Sequence, residues 1–312
     1  MTNFVVIGNA QFVVDCVGVL RRTADIAVRL VISDPAVPTI GGLVERYCRV
    51  HGLTHISATD INSDRVLEAV AAAQPDFLFS AYNMQIMKRR LLALPTRATV
   101  NFHNGPLPRY RGVNVYSWAI INGEREYGVT WHDAGEAIDA GDILAQRMFP
   151  LAHDETPLTL SRRGFAVGVE LLAEMATPLI RGQIAPVPQD HAQASSYSRK
   201  DTPNGGKMDF GWPFDRLERF VRGLNYYPIR NPFVYATAMV NGTPIHPLKV
   251  VRFGDQTGAP PGAVVGVERD MLRVACGDAV LGITEALDAN RRWVPIGELA
   301  RLLGIQVGDR LT

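Results

Sequence analysis

The first half of the chain alternates short apolar runs with longer amphipathic stretches. Runs rich in β-branched and aromatic residues predict strands at 4–8, 27–33, 76–81 and 98–103. Apolar residues at helical spacing predict helices at 11–22, 40–52, 62–73 and 84–93. This alternation predicts a Rossmann-like, mostly parallel sheet with helices on both faces, whose ligand site lies at the carboxyl ends of the strands.

Further strands at 127–134 and 143–151 and a long helix at 156–180 complete this first part. Residues 186–209 are polar and rich in turn formers, as in a linker. A helix at 212–224 then precedes short alternating runs separated by Gly and Pro, which predict a small C-terminal β-rich domain of the OB-like barrel type. The predicted organisation is a domain at 1–185, a linker at 186–209 and a second domain at 210–312.

The composition adds limits on function. Among 312 residues, 47% are hydrophobic and 20% charged, as in ordinary globular proteins, and no apolar run approaches the about 18 residues of a membrane span. The N-terminus "MTNFVVIGNA" has no signal-peptide pattern, so we expect a first strand and a cytoplasmic location. Three scattered cysteines offer no metal-ligand spacing, and no metal is expected. A net charge of +1 gives no general attraction to nucleic acid and favours small-molecule chemistry.

The turn after the first strand argues against one common Rossmann activity. It reads "GNAQFV" (8–13), with a single glycine in place of G-x-G-x-x-G. Without those glycines the backbone cannot approach a pyrophosphate closely. A nicotinamide-dependent oxidoreductase is therefore disfavoured.

Polar side chains with catalytic potential stand at the end of the strand predicted at 98–103. Asn101 and His103 are two residues apart, so both should project from one face of the sheet. An amide donor beside an imidazole suits a reaction that develops charge on a carbonyl oxygen and moves protons. The loop "GEAIDAGDILAQ" adds Asp139 and Asp142. The alternative is structural: the pair satisfies backbone groups near a turn, and the aspartates are turn residues.

The stretch 100–146 combines three strings, N-x-H, P-x-Y-R-G and G-V-T followed by D-x-G-D-I. In this combination it resembles the 10-formyltetrahydrofolate-dependent formyltransferases. That family includes methionyl-tRNA formyltransferase, sugar-nucleotide N-formyltransferases and the formylation domains of nonribosomal peptide assembly. The segments "DFLFSAYNMQIMKRRLLALP", "MLRVACGDAVLGITEA" and "ELARLLGIQVGDRL" extend the resemblance over most of the chain.

The resemblance implies an N-formyltransferase with 10-formyltetrahydrofolate as co-substrate and no metal. Asn101, His103 and Asp139 match the family's catalytic residues, and Asp142 a structural one. To act as a base near neutrality, Asp139 would need a pKa raised by burial. The implied folate site has two parts. One is a wall formed by Gln85, Ile86 and Met87. The other is a loop formed by Gly135, Glu136, Ala137 and Ile138, which leads to Asp139. For Ile86 and Met87, packing in a helix core is the alternative.

The loop after His103 departs from the family. Residues 104–108 are Asn-Gly-Pro-Leu-Pro, where relatives commonly have Gly-Ser-Leu-Leu-Pro, and the Leu107–Pro108 bond is a candidate for a cis peptide. Since this loop borders the acceptor, the change indicates an unusual amine substrate. Four side chains are weaker candidates for binding it, by guanidinium pairing or ring stacking: Arg109, Tyr110, Arg111 and Tyr116. For Arg109 and Arg111 the alternative is a solvated turn or an internal ion pair.

The acceptor is constrained mainly by charge. Residues 210–312 carry 12 Lys and Arg against 10 Asp and Glu, a net of +2, which disfavours a transfer-RNA substrate. We expect a primary amine or hydroxylamine of a small biosynthetic molecule, such as an amino sugar nucleotide, an amino acid or a carrier-bound aminoacyl group. A homodimer or a carrier-protein partner stays open.

Three other functions remain in view. Methionyl-tRNA formyltransferase is the first of these. A formyltetrahydrofolate hydrolase would use the same residues with water, but usually carries an extra N-terminal domain that we do not expect here. A catalytically silent folate- or nucleotide-binding protein would need a broken triad, whereas Asn101, His103 and Asp139 are all present.

Overall fold

The computed structural model describes residues 1–37, 42–256 and 258–312. The strands in chain order are β1 (Thr2–Gly8), β2 (Ile26–Ser33), β3 (His55–Ser57), β4 (Phe77–Ala81), β5 (Ala98–His103), β6 (Arg111–Gly112), β7 (Glu126–Asp133), β8 (Ile143–Pro150), β9 (Ser196–Tyr197), β10 (Ala238–Val240), β11 (Thr243–Asp255), β12 (Val264–Val267), β13 (Leu272–Ala275), β14 (Ala279–Leu287) and β15 (Trp293–Pro295). The helices are α1 (Ala10–Arg22), α2 (Leu43–Val50), α3 (Asp64–Ala72), α4 (Arg89–Leu92), α5 (Val115–Asn122), α6 (Pro157–Ile180), α7 (Phe214–Gly223) and α8 (Ile296–Leu302), with short 3-10 turns at His191–Gln193 and Pro203–Gly206.

A seven-stranded sheet forms the framework of the first compact unit, which comprises residues 1–112, 126–150 and 162–197. The strand order is β3-β2-β1-β4-β5-β7-β8. The pairs from β3 to β5 are parallel, and the pairs β5-β7 and β7-β8 are antiparallel. Every residue of β4 is buried, as expected of a central strand covered on both faces. The predicted mostly parallel, Rossmann-like fold is confirmed.

Local hydrogen bonds explain where the predicted elements of this unit were wrong. The helix predicted at 84–93 is helical only over Arg89–Leu92. Asn83 exchanges hydrogen bonds with the backbone N–H and C=O of Gln85, and Asn62 accepts from the Lys88 N–H. These side chains take up the backbone groups that a helix would use. The three-residue strand β3 was not predicted. Of the helix predicted at 40–52, residues 40 and 41 lie outside the described residues.

The strand β5 is oriented by what packs beneath it. Phe102 is buried, with ring centroids 4.4 Å from Phe12 and 5.0 Å from Trp131. Gly168 of α6 lies so close that a Cβ there would stand 2.3 Å from the Phe102 ring. Because successive side chains of a strand alternate between faces, burying Phe102 turns its two neighbours to the other face.

An antiparallel sheet forms the core of the second unit, which comprises residues 113–125, 151–161 and 198–312. The order is β10-β11-β14-β13-β12, with β15 paired to β14. Helix α7 buries Leu217, Phe220 and Val221 against the apolar side chains of this sheet. The predicted β-rich C-terminal domain is confirmed as an antiparallel sheet. The division into 1–185, 186–209 and 210–312 stays a prediction.

Among the described residues, no helix combines the length and the apolar character that a membrane crossing requires.

Candidate active site

The end of β5 brings together the first two predicted site residues and a third that was not predicted. Asn101 pairs in register with His132 of β7, and the Asn101 Nδ2 lies 3.1 Å from the His132 Nε2. His103 lies on the same face of β5 as Asn101, as the spacing predicted. The side chains of His103 and His132 are both buried, with exposed fractions of 7% and 2%.

The carboxylate of Asp139 lies against both imidazoles. Its Oδ2 is 3.4 Å from the His103 Nδ1, and its Oδ1 is 3.5 Å from the His132 Nε2. The Gly112 N–H donates to Oδ2 at 2.8 Å. Asp139 has a φ of 51°, an unusual backbone conformation for a non-glycine residue, and its side chain is only 9% exposed. The loop after β7 thus carries a carboxylate inward to the end of β5.

Backbone carbonyls fix one hydrogen on each imidazole. The His103 Nε2 lies 2.6 Å from the Tyr110 carbonyl oxygen, and the His132 Nδ1 lies 2.8 Å from that of Asp133. A carbonyl only accepts, so each of these nitrogens carries a hydrogen. The His132 Nε2 faces both the Asn101 Nδ2 and the Asp139 Oδ1. The His103 Nδ1 is left facing the Asp139 carboxylate.

The pKa values of the two facing groups are shifted by their surroundings. Burial lowers the pKa of His103, and the Asp139 carboxylate offsets part of that shift. Burial alone would raise the pKa of Asp139, but the two imidazoles and the Gly112 N–H reverse this and hold it well below its usual range. The expectation of a raised Asp139 pKa is wrong, because burial was considered without the donors that accompany it. Asp139 is therefore a carboxylate at neutral pH.

The loop at 104–108 is fixed by polar side chains of β7 and β8. Thr130, the last residue of G-V-T, donates to the Gly105 carbonyl at 2.8 Å and accepts from the Leu107 N–H at 3.2 Å. Gln146 donates to the Leu107 carbonyl at 2.7 Å. A Cβ at Gly105 would lie 2.6 Å from the His103 Nε2, so only glycine leaves room for the imidazole here. The Leu107–Pro108 peptide is cis.

Gln189 connects the Asp139 loop to the P-x-Y-R-G loop. This side chain is buried, and its Nε2 donates to the carbonyls of Asp139 at 2.9 Å and Gly141 at 2.6 Å. Its Oε1 accepts from the Arg111 Nη2 at 2.6 Å and Nε at 3.2 Å. One amide thus uses both ends to hold the backbone of Asp139 and the guanidinium of Arg111.

The four weaker candidates for acceptor binding are placed as follows. Arg111 is held by Gln189, and its Nη2 also lies 2.9 Å from the His191 Nδ1. Tyr110 is buried, stacks on Tyr197 at 5.7 Å and carries the Arg109 guanidinium 5.8 Å from its ring centroid. Tyr116 lies on α5 in the second unit. Their role toward a substrate stays a prediction.

The predicted folate residues lie on two loops of the first unit. The Gln85 amide is engaged in the fold, since its Nε2 donates to Asp34 at 2.8 Å and its Oε1 accepts from the Ile61 N–H at 3.1 Å. Met87 packs against the core, whereas Ile86 is 64% exposed. The helix-core alternative therefore fails for Ile86.

The second of these loops contains the other four folate candidates. Gly135 has open space around its Cα, Glu136 lies 3.9 Å from Arg89, Ala137 accepts a backbone N–H from Ala140, and Ile138 is 59% exposed. Asp142 closes the loop through its carbonyl, which accepts the Asp133 N–H at 2.9 Å. Ile86 and Ile138 are apolar side chains that are largely exposed, a property that suits a ring-binding surface. Folate binding by these residues stays a prediction.

Two site residues escaped the sequence reasoning. His132 lies in the string "GVTWHDA". Alternation along this strand places His132 on the same face as Thr130 and could have marked it as a site residue. Gln189 lies in the polar segment interpreted as a linker, where no local pattern marks one glutamine as buried.

Comparison with known proteins decides the family. The model of the formyl transferase family matches residues 2–176, and the model of the formyl transferase C-terminal domain matches residues 201–303. The chain is 33% identical over 261 residues to a methionyl-tRNA formyltransferase of Roseiflexus castenholzii, covering 83% of this chain and 81% of that protein. The chain belongs to the formyl transferase family.

Solved structures share the fold. An N-formyltransferase from Helicobacter canadensis, in complex with folinic acid and dTDP-3-aminofucose, superposes with a TM-score of 0.69 at 19% identity, over 91% of this chain and 99% of that one. HypX from Aquifex aeolicus, in complex with tetrahydrofolic acid, gives 0.64 at 20% identity, over 97% of this chain and 48% of that one. Family membership confirms the predicted formyltransferase class and its formyltetrahydrofolate co-substrate.

Gln189→Leu tests the link between the two loops. Leucine has a similar size but leaves two carbonyls and a guanidinium without their partner, so the unfolding free energy should fall by about 1–3 kcal/mol. Because the Asp139 backbone loses its support, kcat for formyl transfer should fall at least about tenfold, and the amine KM should change only for an acceptor that reaches the loosened Arg111. Gln193→Leu, which removes an exposed glutamine whose Nε2 donates to Asp190, is the matched control. Equal kcat values for the two variants would contradict a positioning role.

The lowered pKa of His103 predicts a pH-dependent stability. Below the unfolded-state value of 6.5, the unfolded chain binds a proton at this histidine more readily than the folded one, so its contribution to stability is lost as pH falls. In denaturant unfolding between about pH 8 and 5.5, His103→Gln should show a shallower decline than the wild type. His153→Gln, at an exposed position, should keep the wild-type slope. An unchanged slope in His103→Gln would refute the assignment.

Proposed function

We propose that the chain transfers a formyl group from 10-formyltetrahydrofolate to an amine, with Asn101, His103 and Asp139 as its catalytic residues. The observation that carries this is the convergence of one ionised carboxylate and two imidazoles beside the Asn101 amide at the end of β5. Those groups supply the donor, the proton carrier and the countercharge that acyl transfer requires.

The reaction has a simple balance. The amine nitrogen attacks the formyl carbon and forms a new C–N bond, which leaves an oxyanion on a tetrahedral carbon. The bond from that carbon to the folate nitrogen then breaks, the nitrogen takes a proton, and the attacking amine loses one. In this scheme Asn101 donates an N–H to the oxyanion, a contribution typically of about 3–4 kcal/mol.

The direction of the Asp139 pKa shift assigns the proton transfers. A carboxylate whose pKa lies well below its usual range is a weak base near neutrality, so Asp139 serves as the countercharge for a proton on His103. The His103 imidazole, neutral when buried, takes the proton from the amine and returns it to the folate nitrogen. For this the hydrogen of the neutral imidazole moves from Nε2 to Nδ1, where the Asp139 carboxylate accepts it, and the freed Nε2 lone pair leaves the Tyr110 carbonyl and faces the amine proton.

We further propose that the acceptor is a primary amine or hydroxylamine of a small biosynthetic molecule. The low net charge of residues 210–312 and the Asn-Gly-Pro-Leu-Pro loop support this choice. The second candidate acceptor is methionyl-tRNA. The relative from Roseiflexus castenholzii is named a methionyl-tRNA formyltransferase, and this favours the second candidate. The protein from Helicobacter canadensis was solved with a nucleotide-linked amino sugar, which is one form of the first candidate.

Asp139→Asn tests the catalytic assignment. The amide keeps the shape of the side chain but removes its charge, so tetrahydrofolate release should slow by a factor of about 10²–10⁴ while the fold and folate affinity are retained. Asp142→Asn, three residues along the same loop, should keep turnover within about threefold. Turnover that survives in Asp139→Asn would place the countercharge elsewhere.

An amine panel tests the acceptor. The protein is mixed with 10-formyltetrahydrofolate and either no amine, a nucleotide-linked amino sugar, hydroxyornithine, an aminoacyl carrier protein or methionyl-tRNA, and tetrahydrofolate release is followed. We expect release with a small or carrier-bound amine and none with methionyl-tRNA. Release with methionyl-tRNA only would establish the second candidate, and release without any amine would identify a hydrolase.

A further inference from the structure

Residues of the second unit line a concave site, and none of them belongs to the residues of the proposed reaction. It is a cavity of about 570 Å³, which is within the range of small-molecule sites. The side chains that give it chemical character are two arginines, two aromatic residues, a histidine and a threonine: Arg230, Arg291, Phe233, Tyr235, His246 and Thr237.

One wall is held in place by a buried asparagine. The Asn231 amide donates to the carbonyls of Leu224 and Val234, each at 2.8 Å, and accepts from the Phe233 N–H at 2.7 Å. The Asn231 N–H donates to the Tyr235 hydroxyl at 3.2 Å. Arg230 and the two aromatic rings are therefore attached to a segment whose backbone is fixed on both sides of Asn231.

The opposite wall is the turn between β14 and β15. The Asp288 carboxylate accepts from the backbone N–H groups of Asn290 and Arg292, at 2.8 and 2.9 Å, which fixes the conformation of the turn. Arg291 occupies a left-handed position in it, with a φ of 63°, and its guanidinium lies 5.2 Å from the centroid of the Tyr235 ring. Arg291 of this wall therefore lies against Tyr235, which belongs to the first wall.

The cavity has a positive charge. None of its lining residues is acidic, while two are arginines. The nearby Asp288 is already paired with Arg292, with Nη2 2.8 Å from its carboxylate. In the part of the chain that the structure describes, no carboxylate lies within salt-bridge distance of the Arg230 or Arg291 guanidinium. Two fork-shaped cations without a carboxylate favour an oxyanion, above all a phosphate.

His246 adds a second ring to the lining of the cavity. Its Nδ1 lies 3.0 Å from the Thr237 hydroxyl oxygen, which in turn lies 3.1 Å from the Tyr235 carbonyl oxygen. Burial lowers the pKa of His246, and a hydrogen bond to the Ala236 backbone opposes that shift. These contacts fix the imidazole beside Tyr235, with 5.2 Å between the two ring centroids.

We propose that this cavity binds a nucleoside monophosphate. Arg230 and Arg291 hold the phosphate, and the planar base packs against Tyr235 and Phe233. Inorganic phosphate meets only the guanidinium groups, and an uncharged nucleoside meets only the rings. The phosphate and the nucleoside together are therefore needed for full affinity. This site is independent of the proposed formyl transfer.

Calorimetric titration of the full chain with uridine monophosphate, uridine and inorganic phosphate tests the proposal. We expect the monophosphate to bind at least about tenfold more tightly than either part. Arg230→Ala and Arg291→Ala should each weaken binding about tenfold, because each removes charge-assisted hydrogen bonds. The double variant should show no saturable binding.

Two controls separate this site from others. Arg301→Ala removes the same charge from α8, outside the cavity, and should leave affinity unchanged. Asp139→Asn should also leave it unchanged, since binding is measured without turnover. Equal affinity in the wild type and the double variant would overturn the proposal. So would equal affinity for phosphate and the monophosphate, equal losses in Arg301→Ala, or the absence of binding by the wild type.

Discussion

The burial of one carboxylate organises the first unit. Removing a charged oxygen pair from water is costly unless hydrogen bonds and opposite charge replace the solvent. For Asp139 the replacement comes from His103 at the end of β5, His132 on the neighbouring β7 and the Gly112 N–H of β6. Residues far apart in sequence must therefore meet at one point, which accounts for a motif spread over three separate strings.

The sequence predicted the parts of this arrangement that follow from spacing. Asn101 and His103 share a face because they are two residues apart on a strand, and resemblance to a family supplied Asp139. The positions of His132 and Gln189 do not follow from spacing. His132 meets the site because of the register of β5 with β7, and Gln189 meets it because the chain returns to the Asp139 loop near residue 189. Pattern reasoning sees periodicity within an element, whereas these contacts arise between elements. The same limit explains the helix expected at 84–93, where side chains of Asn83 and Asn62 compete for the backbone.

The electrostatics of Asp139 show why burial alone is an insufficient guide to pKa. A buried carboxyl in an apolar site would hold its proton, but here each oxygen faces a nitrogen, and one also accepts a backbone N–H. Stabilisation of the charged form outweighs its desolvation. This changes the chemistry: an ionised Asp139 favours a proton on His103 and so raises the basicity of the imidazole that burial had lowered. The two residues are best treated as one unit that carries a single mobile proton.

The contacts of Gln189 bear on how an acceptor is recognised. Its Oε1 accepts hydrogen bonds from the Nε and Nη2 of Arg111, and the His191 Nδ1 lies close to the same Nη2. An anionic acceptor that reaches Arg111 therefore meets chiefly the Nη1 side of the guanidinium, or else displaces Gln189. Displacement would release the Asp139 carbonyl and with it the position of the carboxylate. Binding at the P-x-Y-R-G loop and catalysis at the end of β5 are thus linked through the buried Gln189 amide. A substrate that binds without displacing Gln189 leaves the Asp139 carboxylate in position.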